Sequence, residues 1–180
     1  MKKLIAFLLL FLSFYVSKSQ NIPSEWTSLV YDLPLNSGME EIVASAKKLR
    51  GIRTIDDSNG LYANLDSTDK SIIKPDVTIL NINSGRTVLE NNKFAQTIIT
   101  TIKYSYSAKN SAITTLETLR NTLTKNTVSY SITSQESNVK GVFGNECLLK
   151  NNSELPRLSI NLEKEDKNYL VIVEVTKVKE

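Results

Sequence analysis

The sequence predicts an α+β fold, with an antiparallel sheet and helices packed on one of its faces. Three observations carry this: an amphipathic helix pattern in the middle of the chain, a second capped helix pattern 74 positions before it (Asn36 against Asn110), and about four strand-like runs after each. Alternation of apolar and polar residues marks the runs as half-buried strands, because successive side chains in a strand point to opposite faces.

The central helix is expected over residues 110–127. Ile113, Leu116, Leu119 and Leu123 are spaced by three, three and four, which holds four large aliphatic groups on one stripe of a 3.6-residue repeat. Asn110 and Ser111 offer side-chain oxygens to first-turn amides, and Lys125 stands at the end where positive charge is favoured. Upstream, Ser37-Gly-Met-Glu40 has the Ser-x-x-Glu form of a capping box, followed by an apolar stripe of Met39, Ile42, Val43, Ala46 and Leu49. This predicts a helix over 38–50, stopped by Gly51. Trp26, Leu29, Val30 and Leu33 also have helical spacing, so a short helix is expected within 20–35, with Trp26 as a packing anchor.

Strands are expected at 52–55 and 61–65, around the turn Asp56-Asp-Ser-Asn-Gly60, and at 77–82, ended by Gly85. A short strand at 87–90 and a long one at 93–107 follow. In the long strand Phe94, Ile98, Ile102, Tyr104 and Tyr106 share one parity; Ala95, Thr97, Ile99, Thr101, Lys103 and Ser105 share the other. Beyond the central helix, strands are expected around 128–133, at 139–143 and 146–150 about a Gly144-Asn145 turn, at 158–162 and at 169–177.

Asn36-Ser-Gly-Met-Glu-Glu-Ile42 and Asn110-Ser-Ala-Ile-Thr-Thr-Leu116 match in their Asn-Ser start and their apolar positions, and Leu49 matches Leu123. The chain therefore divides into two α-β-β-β-β units, about 36–107 and 110–178, which suggests a tandem duplication. The arrangement is similar in outline to tandem-repeat secreted inhibitors such as the β-lactamase inhibitory proteins. Their cysteine framework has no counterpart here, since Cys147 stands alone, and the likeness implies a fold outline and no site residues.

Met1, Lys2 and Lys3 precede an apolar run over 4–16 and then Ser17, Lys18, Ser19 and Gln20. This order of charged, apolar and small-residue regions is that of a secretory signal peptide cut before Gln20, and the run is short for a membrane span of about 20 residues. Export to the periplasm of a bacterium or beyond is expected, with no permanent membrane anchor and a single α+β domain over 20–180. Three of the chain's 22 basic residues lie in that leader, which leaves 19 against 19 acidic residues and no electrostatic case for nucleic acid. The lone Cys147 allows no internal disulfide, so stability must come from packing.

The chain contains no histidine, which removes Ser-His-Asp and Cys-His catalysis and imidazole metal sites together. The aspartates at 56 and 57 lack the spacing of a calcium loop and are expected to serve the turn. No cofactor, metal or catalytic residue is indicated. The expectation is an exported, non-enzymatic binding module. Its candidate surface is the sheet face opposite the helices, a Ser/Thr-rich lawn in which Thr97, Ile99, Thr101, Leu170 and Ile172 form the candidate partner-binding patch, with Ile99, Leu170 and Ile172 as its apolar spot. A protein or envelope component, or a second copy in a homodimer through that face, is the expected partner. The alternatives are a carboxylate-based hydrolase and a carrier of a small apolar ligand, the latter disfavoured by the modest aromatic content of five Phe and seven Tyr.

Overall fold

A computed structural model describes residues 21–66, 74–89, 92–123, 130–136, 143–149 and 154–179. The expected signal peptide, the last residues of the expected central helix and the expected strand segment at 139–142 lie outside them. In chain order the elements are α1 (Ser24–Ser28), α2 (Met39–Ala46), β1 (Ile52–Asp56), β2 (Gly60–Leu65), β3 (Val77–Val88), β4 (Phe94–Tyr106), α3 (Lys109–Leu123), β5 (Tyr130–Glu136), β6 (Phe143–Leu149), β7 (Arg157–Glu165) and β8 (Asn168–Val178). The fold is α+β, with eight strands in one antiparallel sheet of order β1-β2-β3-β4-β8-β7-β6-β5. Each run of four strands is a meander, and the two runs meet through their last members, β4 and β8.

Strand parity places the core. Leu61, Ala63 and Leu65 of β2, Leu80 and Ile82 of β3, Ile98, Ile102, Tyr104 and Tyr106 of β4, and the alternate residues of β7 and β8 form one apolar cluster with Trp26, Ile42, Ala46, Leu116, Leu119 and Leu123. Each such aliphatic side chain contributes about 1.5–3 kcal/mol by leaving water. The stripe of α3 is broader than its leucines indicate. Ala112 and Thr115 are buried with Leu116, Leu119 and Leu123, whereas Ile113 is half-buried. Thr115 is accommodated because its hydroxyl lies 2.6 Å from the Tyr106 hydroxyl, which satisfies two buried polar groups at once.

Four local expectations are corrected. The capping box is not made: the N-cap of α2 is Gly38 and has no side-chain cap bond, while the Ser37 carbonyl accepts from the Lys177 ammonium. Helix α3 begins at Lys109, so Asn110 and Ser111 lie inside its first turn. Gly85 does not end a strand; β3 runs through it as far as Val88. A Cβ there would lie 2.6 Å from Cδ1 of Ile99, so the glycine makes room for an isoleucine folded over from the next strand. Gly144-Asn145 is likewise interior to β6, paired to β5 and β7 on both sides.

Other signals hold. Gly51 has φ of +73° and follows i to i+3 turns that extend α2 past Ala46. Gly60 has φ of +145°, and a Cβ on it would stand 2.0 Å from the Ile82 carbonyl oxygen. Asp56 accepts from the amide and hydroxyl of Ser58, both at 2.9 Å, and the amide bond is the main cause holding its carboxyl below the ordinary value. Asp57 pairs with Lys47 at 2.6 Å. Both aspartates are thus occupied by turn and surface contacts.

Candidate functional site

On the face bearing the odd residues of β4, register separates the predicted patch. Ile99 stands between Asn83 and Thr176, Thr101 between Asn81 and Glu174, and Lys103 between Ile79 and Ile172. Ile99 and Ile172 are thus four strand positions apart, about 13 Å, with the polar row Asn81, Thr101, Glu174 and Ser159 between them. Leu170 lies a further two positions away, opposite Ser105. Thr97, Thr101 and Leu170 retain only 0, 7 and 8% of their accessible surface, and Ile99 and Ile172 are half-buried. Thr97 sits opposite Gly85 with its hydroxyl 3.4 Å from that of Thr87, and the Glu174 carboxylate accepts from Thr101 at 3.4 Å and Thr176 at 3.3 Å. The threonines and Glu174 on this face are bonded to one another, while the Asn83 side-chain oxygen beside Ile99 is buried without a partner among the described residues. Ile99 stands apart from the neighbouring Leu170 and Ile172.

A concave site lies elsewhere, on the core side of the sheet. Its floor is one cross-strand row, Leu65 of β2, Thr78 of β3 and Tyr104 of β4, which are direct register partners. Thr118, Leu119 and Thr122 of α3 form one wall, and Ser28, Leu29 and Tyr31 form another. Leu49, Arg50, Asp66 and Pro75 complete a pocket of about 340 Å³. That volume is at the small end of sites that enclose organic ligands, and its leucines supply the apolar lining such sites use.

The wall at Tyr31 is built against local preference. Asp32 N–H donates to the Thr27 carbonyl at 2.9 Å, closing α1 with a six-residue turn in which Tyr31 takes the left-handed position usual for glycine. Tyr31 and Asp32 have φ of 60° and 53°, a conformation costing non-glycine residues on the order of 1 kcal/mol each. What the structure gains there is a tyrosine, 38% exposed, whose hydroxyl is hydrogen-bonded to that of buried Tyr104. Burial first, and then Tyr31, hold the Tyr104 hydroxyl well above the usual tyrosine range, so it stays protonated and neutral.

The remaining polar groups differ in whether they are committed. Ser28 donates to the Glu25 carbonyl at 2.8 Å, Thr118 to Thr114 at 2.8 Å and Thr122 to Thr118 at 3.2 Å. Asp66 pairs with Arg53 at 3.5 Å. Thr78, nearly fully buried, and Arg50, exposed at the rim, have no hydrogen-bond or ion-pair partner among the described residues. No group of three or more Cys, Asp or Glu able to hold a metal occurs among the described residues.

The sequence contained one signal for this site. Thr78 has the parity of Leu80 and Ile82, a polar residue in a row of core positions. The pocket wall at Tyr31 left none, because nothing local makes a tyrosine take a left-handed φ.

No family model matches the chain, and no curated protein matches it. Among solved structures, that of CalU16 from Micromonospora echinospora is similar over 56% of this chain and 72% of that chain, at 14% identity and a TM-score of 0.35. A likeness at that level supports no argument about function.

Proposed function

We propose that this chain is an exported, non-enzymatic binding module that receives a small, largely apolar ligand in the pocket floored by Leu65, Thr78 and Tyr104. The observation that supports it most is the strained Tyr31, held in a left-handed conformation that places its hydroxyl on Tyr104 at the pocket wall. Export rests on the leader-like residues 1–19, with the periplasm or the cell exterior as destination. The hydrolase alternative is weaker, since Asp66 is the single carboxylate among the described residues lining the pocket and paired-acid chemistry needs two. The pattern of two meanders joined at β4 and β8 also supports reading the halves as a duplication, with their helices on one face of the sheet.

Titration of the purified chain with the neutral fluorescent probe N-phenyl-1-naphthylamine tests the pocket. Saturable one-to-one enhancement, lost in Thr118→Phe with the fold retained by circular dichroism, is the expected result. Absence of enhancement, or enhancement unaffected by that substitution, sinks the reading.

A second reading keeps the opposite face as a protein or self-association surface. It is favoured by half-buried Ile79 and Ile172, which flank exposed Lys103 and are larger apolar groups than a solvated sheet requires. Ile172→Glu would then dissociate a dimer or release a captured envelope partner in sedimentation or affinity experiments while the chain stays folded. An unfolded variant would place Ile172 in a core instead.

A further inference from the structure

We propose that the pocket selects a small amphiphile with a carboxylate head over neutral or cationic molecules of the same size; this rests on the pocket-binding reading above. The polar groups of the pocket differ in how far they are already committed. Ser28, Thr118 and Thr122 spend their hydroxyl protons on backbone carbonyls of their own segments. The Asp66 carboxylate at the rim is met by Arg53. Among the described residues lining the pocket, Thr78 offers a hydroxyl on the floor and Arg50 a guanidinium at the rim.

Both are donors, one is cationic, and between them the walls are apolar: Leu29, Leu49, Leu65 and Leu119. The Thr78 hydroxyl lines the pocket and is not one of the buried polar atoms left unpaired among the described residues, so an acceptor on a ligand would replace water there. A carboxylate accepts from a hydroxyl or from a guanidinium, and its charge-assisted bond to the guanidinium is the stronger kind. An ammonium head would meet the Arg50 guanidinium at the rim, where the Asp66 carboxylate is shared with Arg53. An alcohol satisfies Thr78 and gains nothing from Arg50. The apolar walls take the hydrocarbon part.

Calorimetric titration of the full chain with octanoate, octanol and octylamine separates these cases. The expected order is octanoate tightest, by roughly 10-fold over octanol, with octylamine weakest. Arg50→Gln should cut the preference for octanoate over octanol to about 3-fold or less, since a rim charge is partly screened. Thr78→Val should weaken octanoate and octanol together, and Thr118→Phe should abolish both. If octanol binds as tightly as octanoate and Thr118→Phe removes both, the pocket reading stands and the carboxylate inference falls. If octylamine binds tightest, the inference falls too. If none of the three binds, or octanoate binds undiminished to Thr118→Phe, both fall.

Discussion

Two aromatic pairs tie the N-terminal segment to the rest of the molecule, and they end differently. Trp26 meets Tyr130 edge to face, with ring centroids 5.7 Å apart and both side chains fully buried; the Tyr130 hydroxyl donates to the Leu123 carbonyl at 2.7 Å. Five residues along, Tyr31 meets Tyr104 through hydroxyls at the wall of a 340 Å³ pocket. The first pair fills its space and acts as a plug. The second pair meets through its hydroxyls instead and borders a void, so the polar groups around it face volume a ligand can fill. Asn36 closes the segment on itself around both positions, accepting from the Ile22 amide at 2.7 Å. The lesson is that aromatic burial alone does not mark a site; what marks it is polar atoms facing unfilled volume.

Substitutions that treat the pairs unequally sharpen this contrast. Trp26→Ala should have the largest effect, about 3–5 kcal/mol of lost stability in urea unfolding, because a fully buried indole leaves a cavity. A loss below about 1 kcal/mol would mean that the plug is not part of the core. Tyr130→Phe comes next, at about 1–3 kcal/mol, since it leaves the Leu123 carbonyl without its buried donor.

Tyr104 gives a pH test. Its raised value means that the folded chain keeps a proton the unfolded chain begins to lose near pH 10. The stability linked to it is therefore complete below that pH and falls as pH rises toward the folded value, by about 1.4 kcal/mol per unit. Unfolding free energies measured at about pH 8 and about pH 11 should show a steeper alkaline loss in the parent than in Tyr104→Phe. Equal slopes would mean that the hydroxyl is solvated.

Tyr31→Asn should matter least to stability, within about 1 kcal/mol, because asparagine tolerates the left-handed conformation that tyrosine resists. Binding of the naphthylamine probe should nevertheless weaken. Unchanged binding together with a large stability loss would make Tyr31 a second plug and erase the distinction between the pairs.

The same contrast shows how far the residues alone could be read. Trp26 was legible as an anchor, as were the parity of β4, the stop at Gly51 and the sharp turn at Gly60, because each follows from side-chain periodicity or from what a single residue's backbone permits. Gly85 and Gly144 misled for a related reason. Glycine marks a place where a side chain is unwelcome, and whether that means a turn or a close cross-strand neighbour depends on a strand far away in sequence. Ile99 and Ile172 show the same division: parity gives their shared face, but only register gives the distance between them along it.

By itself the sequence determined an α+β chain with two helix-led runs of strands, an apolar core parity in its long strands, and the absence of histidine-based chemistry. These follow from composition and local periodicity. The tertiary structure decided that the two meanders join at β4 and β8, that Leu65, Thr78 and Tyr104 fall in one row, and that a tyrosine is bent over them to leave a pocket. Such facts depend on the pairing of residues tens of positions apart, and the energy that fixes that pairing comes from the whole core rather than from any segment within it.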